Sequence, residues 1–158
     1  MSRNSDLGYK FYMVNCDKNG KVAESATEYD LEKDFEGLLY SKATGLYLVG
    51  KPRIYTEKYA DSDKLRVYMP DTVVNEPTTV NFTFLFTGEN RYTIYKTFVD
   101  YVRNGFKRYY DNVREKYLYF FVNTEIKPAE EVFYGSKPYL KLDLTVQNIF
   151  GRTFDESI

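Results

Sequence analysis

The sequence predicts an α+β protein, mainly β, built as an antiparallel sheet with one amphipathic helix at about residues 91–104. Three observations carry that prediction. Tyr and Phe number 17 and 12, 18% of 158 residues, with no Trp, and both residue types favour pleated, half-buried surfaces. Two segments alternate: Val80, Phe82, Phe84 and Phe86 against Asn81, Thr83 and Leu85, then Leu140, Leu142, Leu144 and Val146 against Lys141, Asp143, Thr145 and Gln147. That is the period of a strand with one apolar face. Between them, Tyr95, Phe98, Val99 and Val102 fall at i, i+3, i+4 and i+7, the stripe of an amphipathic helix.

The elements follow in order. Gly8 to Val14 reads as a first strand, closed by the turn residues Asp17-Lys18-Asn19-Gly20. From Asp30 to Tyr40, Leu31, Phe35 and Leu38/Leu39 have helical spacing, which fits a short helix or an irregular strand equally. Leu46-Tyr47-Leu48-Val49 and Arg53-Ile54-Tyr55 read as short strands around a Gly50-Lys51-Pro52 turn, Leu65 to Met69 as another, and Asp71 to Pro77 as a loop. Thr87 to Asn90 breaks the strand that starts near Val80, with Asn90 placed to cap the helix and Gly105 placed to end it. Lys116 to Val122 is an aromatic strand expected to run on to Ile126 and stop at Pro128. Glu131 to Tyr134 is a short edge segment before the Gly135-Ser136 turn, and Tyr139 to Gln147 is the last strand.

A chain of this length fits one domain, residues 1–158, and buries roughly 68–70% of its unfolded surface without metals or disulfides. Within it, 1–29 forms an N-terminal strand and arm, 30–77 short strands and loops, and 78–151 a core β-helix-β-β unit. The function classes narrow by subtraction. There is no His, so imidazole-based catalysis and His-containing zinc sites are excluded. One cysteine, Cys16, makes neither an intramolecular disulfide nor a multi-cysteine metal site. Gly50-Lys51 lacks the remainder of a phosphate loop, Asp61-Ser62-Asp63 lacks the glycine and glutamate of a calcium loop, and adjacent Glu130 and Glu131 point to opposite faces when extended. No catalytic, cofactor or metal residues are assigned. Asn81-Phe82-Thr83 has the form of a glycosylation sequon. The polar N-terminus and the absence of any long apolar run lead us to expect neither an ordinary signal peptide nor a membrane span.

The net charge is −1, which gives no bulk attraction to nucleic acid. Charge is unevenly spread, however. Glu24, Glu28, Asp30, Glu32, Asp34 and Glu36 stand against Lys33 alone, while Arg103, Lys107, Arg108, Arg114 and Lys116 stand against Asp111 and Glu115. These segments are two solvated faces, or a complementary pair meeting within the fold or between neighbouring copies. On the second reading Arg103, Lys107, Arg108, Arg114, Lys116, Glu28, Asp30, Glu32, Asp34 and Glu36 are candidate interface residues. Tyr109 and Tyr110 beside Arg114 and Lys116 have the mixture of a stacking platform, or else the tyrosines fill the gap between helix and sheet.

Phe82-Thr-Phe-Leu-Phe-Thr-Gly, then Tyr95-Lys-Thr-Phe98-Val-Asp-Tyr101, an aromatic strand, and Pro138-Tyr-Leu-Lys-Leu-Asp-Leu-Thr-Val146 together resemble the split-barrel domain of tailed-phage tail proteins. That family includes distal tail (hub), tail-tube and connector-ring proteins. Gln147 to Gly151 resembles the strand ending that closes such domains. The resemblance spans residues 78–151, with a looser fit over Phe35 to Ile54. The chain departs from the family in lacking a Trp near the last strand and in its long polar segment before residue 30.

The resemblance implies an antiparallel split β-barrel or sandwich that is not an enzyme. It further implies a virion protein, assembled in the host cytoplasm, that forms a hexameric or twelvefold ring in the tail or neck. Such a ring stacks on neighbouring tail or neck proteins, and DNA passes through it without sequence-specific binding. The basic segment would then face protein neighbours, and the acidic one would meet it in the adjacent copy or face the lumen. Two other readings stand beside this one: an aromatic-platform module for carbohydrate or single-stranded nucleic acid, and a small enzyme using carboxylates alone.

Overall fold

The computed structural model describes residues 4–52, 55–58, 65–68, 75–127 and 129–158. A 3-10 turn at Asn4–Leu7 leads into β1 (Phe11–Cys16), β2 (Tyr29–Asp30), the single-turn α1 (Leu31–Asp34) and β3 (Leu38–Thr44). There follow β4 (Tyr55–Lys58), β5 (Leu65–Tyr68), β6 (Thr78–Phe86) and α2 (Arg91–Val102). The chain continues through β7 (Phe106–Asp111), β8 (Lys116–Phe121), β9 (Glu130–Tyr134) and β10 (Lys137–Asn148). β4 and β5 pair with each other. The remaining strands form one antiparallel sheet in the order β2-β1-β7-β8-β10-β6-β3, with β9 paired to β10. The predicted mainly-β α+β class is the one observed.

The sheet curls on itself around a core in which aromatic rings from β1, β3, β6, β7 and β8 meet among Leu, Val and Met side chains. Phe11 of β1 stacks on Tyr40 of β3 at 3.9 Å between centroids, although the two strands stand near opposite ends of the sheet order. Tyr109 of β7 meets Phe82 of β6 at 5.0 Å, and Phe120 of β8 meets Phe82 at 6.0 Å. No strand ladder joins β1 to β3 among the described residues; side chains bond the seam instead. Buried Glu32 accepts from the Tyr40 amide (3.0 Å) and from Asn4 Nδ2 (2.7 Å), while Asn4 Nδ2 also reaches the Tyr40 carbonyl (2.6 Å). A buried edge strand must bond its backbone somewhere, and here α1 and the 3-10 turn supply the partners. This is a split barrel in physical terms.

α2 covers the open mouth. Phe98, fully buried, packs edge-on against Phe84 (4.9 Å) and Phe35 (5.4 Å) and tilts against Phe86 (6.0 Å). Val102 is buried, Tyr95 and Val99 pack against the same core, and Leu142 and Leu144 belong to it. The helix ends at Val102, short of the expected 104, with Arg103 as its C-cap, and Gly105 at φ 75° turns the chain into β7. Asn90 holds the N-cap position without a side-chain cap bond; its carbonyl accepts the Ile94 amide, and Gly88 accepts Arg91.

Several expectations are corrected. The segment 30–40 realises both alternatives in succession, one turn of helix and then strand. Residues 46–49 are not a strand: Leu48 donates to the Gly45 carbonyl in a turn. Gly45 sits at φ 86° with the Thr79 carbonyl 2.7 Å from where a Cβ would stand, so the chain turns off β6 there. β8 ends at Phe121 rather than Ile126. On one edge β10 pairs β8 at Phe120 and Phe121 and β9 over Lys137 to Lys141, and residues 142–146 between them have no ladder partner on that edge among the described residues. β7 was not predicted at all, because its inward positions Lys107, Tyr109 and Asp111 break the apolar alternation. The strand start at Arg53-Ile54, Asp61-Ser62-Asp63, Met69, Pro128 and the 71–74 part of the predicted loop lie outside the described residues.

Candidate functional site

The structure uses most of the basic segment inside the chain. Alternation along β7 turns Lys107 inward, fully buried; its ammonium bonds the Asn104 carbonyl and lies 4.7 Å from the Tyr101 ring centroid, and burial lowers its pKa. Arg108 turns outward onto Glu28 (2.8 Å) and Ser157 Oγ (2.9 Å). Arg114 holds buried Asp111 at 2.9 Å through its guanidinium and at 2.7 Å through its amide, and Tyr109 donates its hydroxyl to the same carboxylate (2.8 Å). Lys116 pairs with Asp155, and its hydrogen bond and charge hold that carboxyl below the usual range. Arg103 alone is largely exposed, with Asp100 at 4.0 Å.

The acidic segment divides similarly. Glu28 meets Arg108 in an ion pair that joins the two segments. Asp34 accepts the Asp30 amide at 2.7 Å, beside an Asp30 Oδ1 that is buried without a partner. Glu32 is part of the seam. Glu36 is exposed and lines a cleft described below. The two segments therefore meet within the fold through Arg108 and Glu28, and Arg103, Glu24, Asp34 and Glu36 are left facing outward.

The tyrosines near the basic segment also split by alternation. Tyr109 faces the core, where burial, then Tyr40 and Asp111, raise its pKa well above the ordinary phenol value. Tyr110 faces outward in register with Tyr12 and Tyr117. Tyr110 and Tyr117 lie 4.5 Å apart at 31°, and Tyr12 and Tyr110 lie 6.5 Å apart at 25°. At 4.5 Å the Tyr110 and Tyr117 rings are tilted against each other, and Arg108 lies over Tyr117 at 5.3 Å. Tyr110 packs against Tyr117 on one side and Tyr12 on the other, so with Arg108 the row is partly closed by its own contacts. Burial followed by Asp30 and Glu28 raises the Tyr12 phenol pKa, and burial followed by Glu115 raises that of Tyr110. The acids around the row make it unfavourable for a phosphate backbone.

The spare surface is elsewhere, and it is apolar. Tyr47, Leu48 and Val49 are 66%, 55% and 68% exposed on the loop after β3. Phe133 and Tyr134 are 67% and 49% exposed on the β9–β10 hairpin. The two groups sit at opposite ends of β10. Phe133 is opposite Pro138, whereas the loop is tied by the Gly50 amide to the Gly151 carbonyl at 2.7 Å, beyond Asn148. Pro138 to Asn148 spans roughly 30 Å at the usual rise of a strand. Beside the hairpin, Glu36, Leu39, Glu89, Ile94, Lys137 and Tyr139 line a cleft of about 570 Å³. A run of three apolar residues next to glycines was visible in the sequence, but it reads equally as a buried strand.

Cys16 is half-buried, and burial followed by Asp17 pushes its thiol up to about 11; a neutral thiol is a poor nucleophile. Among the described residues no group of three or more His, Cys, Asp or Glu is placed to hold a metal ion, and no helix is long and apolar enough to cross a membrane.

No family model matches the chain, and no curated protein matches it in sequence. Among solved structures, a chain in the structure of the phage P2 baseplate in its activated conformation with Ca is similar, with a TM-score of 0.44 and 11% identity. The match covers 86% of this chain and 44% of that one, so the chain spans less than half the length of the structure it matches.

Proposed function

We propose that this protein is a structural component of a phage tail or neck that assembles head to tail into a ring, hexameric or twelvefold, around the DNA channel. The observation that carries the self-assembly is the pair of exposed apolar surfaces at opposite ends of β10, Tyr47 to Val49 at one and Phe133 with Tyr134 at the other. Grouped apolar side chains left in water, as at Tyr47 to Val49, mark an interaction site. Phe133 and Tyr134, neighbours in β9, present one exposed ring to each face of the hairpin. Two different surfaces at two ends suit heterologous contacts, which close into rings when the rotation permits. The split-barrel architecture is the one implied by the tail-protein resemblance of residues 78–151.

The charges are consistent with a passive channel. Arg108, Arg114 and Lys116 are paired within the chain, and Lys107 is buried. They form no free cationic groove, so duplex would slide past without being held. Neighbouring tail or neck proteins are the expected stacking partners.

Sedimentation and native mass measurement of the purified chain, with electron microscopy of the assembled fraction, test the reading. Six- or twelvefold rings, with no binding of duplex or single-stranded DNA at low salt, are the expected result. A chain that stays monomeric at all concentrations, or that binds oligonucleotides with steep salt dependence, overturns it.

A further inference from the structure

The loop at 45–50 and the cleft beside the β9–β10 hairpin lie at opposite ends of the β6–β10 pair, so one copy cannot bring them together while successive copies in one orientation can. We propose that the Tyr47-Leu48-Val49 tip of one copy seats in the cleft of the next, between the turn at 87–91 and the first residues of β10. The occupant is a second copy of this chain, and the contact rests on the self-assembly reading above.

Three features argue for it. First, the tip is preorganised: Leu46 anchors it in the core, Leu48 donates to the Gly45 carbonyl at 3.2 Å, and the Gly50 amide is tied to Gly151. A loop already held in one shape loses less entropy on docking. Second, the tip with Tyr134, which packs on the cleft residue Tyr139, exposes roughly 450 Å² of side chain, taking large apolar residues at about 150–250 Å² each. A standard interface buries about 1,200–2,000 Å², a little over half of it apolar, so these four side chains supply a substantial part of the apolar area of a small one.

Third, the flanking charges are opposite. Exposed Lys51, and Arg152 next to the Gly151 that bonds the tip, stand beside it against Glu76, while Glu36 and Glu89 flank the cleft against Lys137. The tip is thus basic by one charge and the cleft acidic by one, which favours this pairing over tip to tip or cleft to cleft.

The test uses the full chain in a Cys16→Ser background. Leu48→Cys and Glu89→Cys are placed on separate chains, mixed and oxidised. A cross-linked heterodimer in the mixture, absent from either variant alone, is expected. Leu48→Asp should raise the dissociation constant for self-association about tenfold or more, the loss typical of a central apolar contact, with the monomer's denaturation midpoint unchanged. Wild-type assembly without the cross-link, and with Leu48→Asp assembling normally, overturns this contact and leaves the ring reading standing. A wild-type chain that never assembles overturns both.

Discussion

The basic stretch from Arg103 to Lys116 and the loop from Gly45 to Gly50 differ in one respect that matters for function: whether their groups have partners inside the chain. In the first, Arg114 clamps buried Asp111, Arg108 meets Glu28, Lys116 meets Asp155, and Lys107 is buried. In the second, three apolar side chains stand in solvent, while Leu46 and the backbone bonds hold them there. Surface available to a partner is surface whose groups are unspent. By that measure the charged stretch is chiefly an internal clasp, and the apolar tip is the part with capacity to bind.

The comparison breaks most visibly through the clasp. Arg114→Glu sets a second carboxylate against buried Asp111 and should destabilise the fold by about 3–5 kcal/mol, the range for losing one partner of a buried pair. Reversing Arg108 and Arg114 together would therefore act on folding first and on association second, and denaturant unfolding of the single and double variants separates the two. Phe98→Ala gives the reference for the core: removal of a fully buried ring should cost about 3–5 kcal/mol. An Arg114→Glu variant as stable as wild type would mean that the clasp carries no weight.

Alkaline pH tests the same interior without mutation. Burial raises the pKa of Tyr40, Tyr101 and Tyr109 above the ordinary phenol value and that of Cys16 to about 11. Below the unfolded values near pH 9–10 these groups are neutral in both states and leave stability unchanged. Above that range the unfolded chain releases protons first, so stability falls as pH rises through the folded values. Lys107, lowered by burial, has the opposite sign, but it is one group against the raised phenols and the thiol. The melting temperature should hold up to about pH 9 and drop steeply above about pH 10. A flat profile would place the tyrosines in water.

The smaller effects sharpen the contrast. Arg108→Ala breaks a partly exposed ion pair and should cost about 1 kcal/mol or less. Leu48→Asp should shift monomer stability by less than about 0.5 kcal/mol, as substitutions at exposed positions do, yet reduce association. Unfolding and sedimentation on the same samples read both quantities. A Leu48→Asp variant that is strongly destabilised would mean the tip is part of the core.

Much of this molecule follows from local pattern. Val80 to Phe86 and Leu140 to Val146 are strands because alternation leaves one face apolar, and both faces are buried where predicted. Helix α2 follows from the stripe around Phe98, and Gly105 turns the chain from its end into β7 because only glycine takes φ 75° without strain. Three things were decided by tertiary structure alone. Strand β7 exists because β1 and β8 pair along both its edges, and its inward lysine and aspartate hide its period. The seam is completed by Glu32, 8 residues from the amide it accepts, where composition marked only an acidic surface. Finally, whether Tyr47 to Val49 is core or surface depends on where Gly45 turns the chain off β6. Periodicity reports which side of an element is apolar, but only the packing of distant segments determines which apolar and charged groups are left without a partner.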